Sequence, residues 1–248
     1  TNILGSAQPT FFKLAVPPPL GPAITSPTHP DQEQWYRDPN PVLVWGASPH
    51  ADGYSYSIDA NPSGFADTTI DTVETTASLS DLRNGTWYFH LRERAGGVWG
   101  GMSHYVIHID RDEPASFAIK ITPASRTRET NPVFRFFTTD ALSGLDRFEM
   151  KIIALSDERG EEGLFFEVTS PYQAPALELG RYQVVIHAID KAGNARSEAV
   201  PLHVINSLSG FMGSEGVDLG FIFISWRWVF VALLFVLLCI AAALGVLW

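Results

Sequence analysis

From about Ala23 to Asp110 the chain runs in short stretches of alternating apolar and polar residues, cut by turn residues and showing no sustained helical period. Pro41–Ser48 (PVLVWGAS), Gly53–Asp59 (GYSYSID), a run from Thr76 (TASLSDL), Gly85–Glu93 (GTWYFHLRE) and Ser103–Asp110 (SHYVIHID) each predict a strand. In the fourth run Trp87, Phe89 and Leu91 fall on one face, and Tyr88, His90 and Arg92 on the other. In the fifth, Tyr105, Ile107 and Ile109 alternate with His104, Val106 and His108. A second set of runs, from about Phe117 to Ile205, follows the same plan: FAIKITPA, PVFRFFTTD, LDRFEMKIIA, LFFEV, GRYQVVIHAID and AVPLHVI. Its penultimate run places Tyr182, Val184, Ile186 and Ala188 on one face. Two all-β sandwiches are therefore expected, one over 23–111 and one over 112–206. The boundary falls in Asp110–Pro114, and the proline run Pro17–Pro19 makes 1–22 a stiff leader.

The pattern changes at the end of the chain. Trp228–Trp248 contains 21 residues without a charge, enough for a membrane-spanning helix of about 20 residues. Trp226, Trp228 and Trp248 flank it, and Arg227 is positioned to reach a headgroup region. The spanning helix is expected within 221–248, after a linker over 207–220. The run LGFIFIS either extends it or lies along the surface. This predicts a single-pass cell-membrane protein that contacts the bilayer through 221–248.

Composition narrows the partners. The formal net charge is −10, and Arg227 is the only charged residue beyond Asp218, so the acidity belongs to the sandwiches. That argues against nucleic acid, which requires a basic footprint. Cys239 is the single cysteine, so no disulfide forms within the chain and no cysteine-based metal site is available. The absence of disulfides leans towards a prokaryotic surface protein. The opening TNILGSAQPT has no charged-then-apolar leader, which suggests a removed leader or the C-terminal part of a longer chain.

VLVWGAS followed by GYSYSID resembles the tryptophan-bearing second strand and the next strand of fibronectin type III modules. TTDALSGLDRFEMKI followed by GRYQVVIHAIDKAGNAR is similar to bacterial Ig-like modules that close on a D-x-A-G-N turn. The first module departs from this, with ERAGGVWG in place of DKAGN. SPTHPDQEQWY, DGYSYSIDANP, GTWYFHLRERAGGVWG and HYVIHIDRDEPASF together resemble C-terminal regions of surface proteins of uncultured small-genome bacteria. In those proteins a cohesin-like domain often precedes the Ig-like pair. The resemblance implies a non-catalytic stalk, adhesion or protein-interaction region, with the two sandwiches outside the cell. A carbohydrate- or cell-wall-binding module, or an accessory region of a larger surface enzyme or cohesin-type scaffold, are the alternatives.

Two constellations carry candidate chemistry. Asp110, Asp112, Glu113, Asp140, Asp190 and Asn194 cluster in sequence around the module boundary and around loops that lie at the entry end of an Ig-type sandwich. Such oxygen ligands suit Ca²⁺ and would stiffen the hinge. The competing reading is that Asp140 and Asp190 only close local turns, with Gly193 supplying the backbone angle. Among the aromatics, Trp35 and Trp99 are the best candidates for exposed faces that would stack on sugar rings, whereas Trp45 and Trp87 read as core. His90, His104 and His108 lie on the polar face of neighbouring strands. They read as solvent-facing, since no cysteine or acidic residue shares their spacing. No G-x-S-x-G, H-E-x-x-H or phosphate-cradling loop is present, nor an LPxTG anchoring signal. No catalytic residue is assigned.

Overall fold

The computed structural model describes residues 20–155, 164–205, 216–218 and 223–246. The proline run Pro17–Pro19 and most of the expected 207–220 linker lie outside the described residues. The chain divides into two compact units, Thr1–Asp112 and Glu113–Trp248.

The first unit contains β1 (Ile24–Thr25), β2 (Trp35–Tyr36), β3 (Val42–Trp45), β4 (Ala51–Asp59), β5 (Thr76–Ser78), β6 (Gly85–Ala95) and β7 (Val98–Ile109). They form two sheets, β1-β3-β5 and β2-β7-β6-β4. The β2–β7 pairing is parallel, so the chain crosses from one sheet to the other between β1 and β2 and closes against the last strand. Phe89 and Leu91 from β6 and Ile107 and Ile109 from β7 are buried with Leu43, Trp45 and Tyr54. Alternation decides this: residues two apart on a strand share a face, and burying that face drives two sheets together. Trp87 packs against the edge of the same core.

The second unit repeats the plan with β8 (Lys120–Thr122), β9 (Arg126–Thr127), β10 (Val133–Arg135), β11 (Leu145–Ala154), β12 (Phe166–Val168), β13 (Tyr172–Gln173), β14 (Gly180–Asp190) and β15 (Ala195–Val204). Its sheets are β13-β10-β8 and β12-β11-β14-β15-β9, and β9 again pairs in parallel with the last strand. Phe134, Met150, Val184, Ile186 and Leu202 fill the core. The difference is β12, an added edge strand. In the first unit only the single bridge Tyr54–Thr72 runs along the outer side of β4. Both units have the strand order of an Ig-type sandwich.

A shared local device marks the start of a long central strand in each unit, β6 and β14. The Tyr182 hydroxyl donates to Glu178 O at 2.8 Å, a tyrosine corner. In the first unit the indole N–H of Trp87 donates to Arg83 O, also four residues upstream and also at 2.8 Å. A Gly two residues before the aromatic opens each strand: Gly85 before Trp87 and Gly180 before Tyr182.

After the second sandwich, β16 (Gly216–Asp218) and β17 (Phe223–Ser225) pair antiparallel, and α1 runs over Trp226–Val246. The part of LGFIFIS that is described is therefore strand, which corrects the expectation of a helical extension. Its alternation of aromatic and β-branched residues favours pairing over helix. Among the described residues no helix is long and apolar enough to cross a membrane.

Removing the Tyr182 hydroxyl (Y182F) is expected to lower stability by about 1 kcal/mol. Phe89→Ala, which empties a fully buried site, is expected to cost about 3–5 kcal/mol. Equilibrium denaturation of the full chain measures both.

Candidate functional site

The second unit brings two of the expected carboxylates together. Asp140 and Asp190 open the loops after β10 and β14, and their carboxylate oxygens lie within 4.8 Å of one another. Each organises its own turn. Asp140 Oδ1 accepts the N–H of Leu142 at 3.0 Å and of Gly144 at 2.8 Å, and the Ser143 hydroxyl at 3.3 Å. Asp190 Oδ1 accepts the N–H of Ala192 at 2.9 Å and of Asn194 at 2.8 Å, while Oδ2 accepts the Asn194 side-chain amide at 2.8 Å. Gly144 and Gly193 take positive φ of 79° and 89°, which these tight turns require and side chains resist. Lys191 N–H donates to Gly144 O and ties the two loops.

Burial pushes the Asp140 carboxyl up. The N–H groups of Gly144, Leu142 and Ala141 and the Ser143 hydroxyl outweigh it and hold the pKa below the ordinary 3.8. The D-x-A-G-N turn is closed by the bonds from Ala192 and Asn194 to Asp190. Glu113 is engaged elsewhere, pairing with Arg196 at 3.1 Å, while Arg196 Nε donates to Pro114 O at 2.8 Å. In the first unit Asp110 is buried and accepts the N–H of Asp112 at 3.1 Å, whereas Asp112 is exposed.

The two tryptophans expected to stack on sugars are not brought together. Trp35 on β2 sits beside His108, near the end of β7, with ring centroids 5.0 Å apart. Trp99 stands near the start of β7, with the Arg92 guanidinium 5.5 Å from its ring centroid. Nine residues of extended strand separate the two ends of β7, about 30 Å at 3.3 Å per residue. Each indole is half-buried, with a neighbour already against its ring.

The histidines divide in a way the strand pattern did not show. His108 is half-buried and bonded to Thr86 Oγ1 at 2.9 Å. Burial pushes its pKa down, partly offset by a hydrogen bond with the Gln32 backbone. His104 is exposed, but His90 is fully buried, which overturns the reading of all three as solvent-facing. The reason is tertiary: the segment after β4 folds over this face of the sheet, and Gly64 comes so close that a Cβ there would collide with the His90 ring and the Asp59 carboxylate. His90 Nε2 lies 3.2 Å from Asp59 Oδ1, and its Nδ1 lies 2.7 Å from Nδ1 of His104.

Two further buried polar groups escaped the sequence reading. Glu93 accepts both the N–H and the hydroxyl of Ser48. It lies in phase with Phe89 and Leu91, so an acid at a core-facing position was the available signal. His29 is held by Thr28 Oγ1 and Asp38 O, and nothing local in its sequence marks it as buried.

No family model matches the chain, and no curated protein matches it. Several solved structures are similar. The fibronectin(III)-like modules of Clostridium thermocellum CbhA are 14% identical with TM-score 0.42, covering 73% of this chain and 94% of that one. The FN1–FN3 domains of chicken CNTN1 are 13% identical with TM-score 0.35, covering 76% and 69%. A two-domain fibronectin type III segment of chicken tenascin is 15% identical with TM-score 0.31, covering 75% and 99%. The strand order and the aromatic corners carry the fold assignment by themselves.

Asp140→Asn is expected to destabilise the second unit by about 1–2 kcal/mol at neutral pH. Because the folded pKa is below the unfolded one, this contribution is full above the ordinary carboxylate value. It disappears as pH falls through the lowered folded value. Denaturation of wild type and D140N at pH 7 and at pH 3 should show the gap closing in acid. Since the turns are closed by N–H groups, wild-type melting in EGTA and in millimolar calcium is expected to agree; a rise with calcium would instead assign a cation to the Asp140–Asp190 pair.

Proposed function

We propose that this chain is the membrane-anchored part of a cell-surface protein, in which two serial Ig-type sandwiches serve as a non-catalytic stalk or adhesion region. The observation that carries the reading is α1. Its backbone is helical for 21 residues, and the sequence has no charged residue beyond Arg227. Trp228, Phe230, Val231 and Leu233 to Leu237 are each more than half exposed. The run from Trp228 to Leu237 is apolar at every position, so it presents apolar side chains in every direction, and such a run suits apolar surroundings.

A stalk fits the remaining features. The sandwiches follow one another in sequence with a division at Asp112–Glu113, and their acidity suits a solvated surface. The non-catalytic part is supported by the neighbourhood of the Asp59–His90 pair: what faces the imidazole is a second imidazole, not a hydroxyl or thiol nucleophile. Glycan binding through paired tryptophans gains no support from Trp35 on β2 and Trp99 on β7, which lie beside opposite ends of β7.

The anchor is tested by expressing the full chain with membranes and extracting with alkaline carbonate. The chain is expected to stay with the membrane. The double variant Leu234→Arg/Leu237→Arg is expected to be released, since each arginine near a helix centre costs about 2.5–3.5 kcal/mol of insertion. Release of the unmodified chain would refute the anchor.

A further inference from the structure

We propose that His90 and His104 form a two-histidine site for a divalent transition-metal ion of the Cu²⁺, Ni²⁺ or Zn²⁺ class, with Asp59 orienting His90. The strand register creates the pair. His90 on β6 and His104 on β7 are direct cross-strand partners, so both imidazoles leave the same face of the sheet. Their Nδ1 atoms point at each other across 2.7 Å, with the rings steeply inclined, at 82°. Metal–nitrogen bonds of about 2.0–2.1 Å place two ligand nitrogens of a tetrahedral ion about 3.3 Å apart. A separation of 2.7 Å therefore has to widen only slightly to accept an ion in place of the proton the nitrogens now share.

The outer contacts prepare His90 for ligation. Asp59 Oδ1, 3.2 Å from Nε2, accepts the proton on that nitrogen and leaves the Nδ1 lone pair directed at His104. A carboxylate behind a ligating histidine fixes its tautomer and raises its basicity. The carboxylate is itself held: Asp59 Oδ1 accepts the Asn61 N–H at 2.7 Å. Gly64 closes over both groups, so His90 cannot rotate to find water. His104 is exposed, and solvent therefore reaches the other side of the ion.

Imidazole nitrogens select borderline ions over Ca²⁺ or Mg²⁺, which take oxygen ligands. Among the described residues no third histidine, cysteine or carboxylate closes on the pair. Waters complete the coordination, and the order of affinity follows the general series for such ligands, with Cu²⁺ bound most tightly.

The test uses the full chain without a polyhistidine tag, titrated with Cu²⁺ and Zn²⁺ by calorimetry and thermal melting, with Cu²⁺ electron paramagnetic resonance as the signature. One equivalent of Cu²⁺ is expected to show coupling to two imidazole nitrogens and to raise the melting temperature. His104→Ala, at an exposed position that leaves the core intact, is expected to weaken binding tenfold or more and to remove one nitrogen coupling. Asp59→Asn, a change at a positioning residue, is expected to weaken binding about tenfold while both couplings remain. Equal Cu²⁺ affinity in wild type and H104A, or a wild-type signal without two-nitrogen coupling, would overturn the site. A melting temperature unmoved by saturating Cu²⁺ would reduce the pair to a shared proton.

Discussion

Everything in each sandwich depends on burying one face of a long central strand. On β6 that face carries Phe89 and Leu91, and on β14 it carries Val184 and Ile186; all four are inaccessible to solvent. Each central strand has a long partner on both sides, so its inward residues touch contributions from every neighbour. The aromatic corner at its start pins where the strand begins. A slip of one residue would send the whole apolar set to the wrong face, so the corner and the core specify the same register. The two units use different aromatics for the corner, Trp87 and Tyr182, because the requirement is a ring with a donor at its tip.

The opposite face of β6 follows a separate logic. A polar face is ordinarily left to water, but here a loop roofs His90, and the buried imidazole requires a partner on each nitrogen. Asp59 and His104 provide them. The same rule holds for Glu93, which accepts from Ser48, and for His29, bonded to Thr28 and Asp38. In the second unit matching occurs in the loops, where Asp140 and Asp190 gather N–H groups that no strand ladder can satisfy. The chain thus keeps its acidic character outside and spends individual carboxylates where the backbone turns.

The α1 segment stands outside both cores. Among its described side chains, Trp228, Phe230, Val231 and Leu233 to Leu237 are each more than half exposed. The functional proposal rests on this segment and not on any pocket in the sandwiches.

By itself the sequence determined the all-β class, the repeat and the inward faces of β6, β7 and β14. Period-two alternation is a local property, and Phe89, Ile107 and Val184 announce their direction within a few residues. It also determined the turns at Asp140 and Asp190, since side-chain-to-backbone bonds two to four residues away are local too. Only the tertiary structure decided the rest. Whether β17 would extend α1 depended on pairing with β16, and whether Trp35 and Trp99 shared a surface depended on where β2 pairs along β7. His90 looks like any outward-facing strand residue until a loop dozens of positions earlier in the chain covers it. Burial of a polar face is a long-range event, and nothing in the alternation of a single strand can register it.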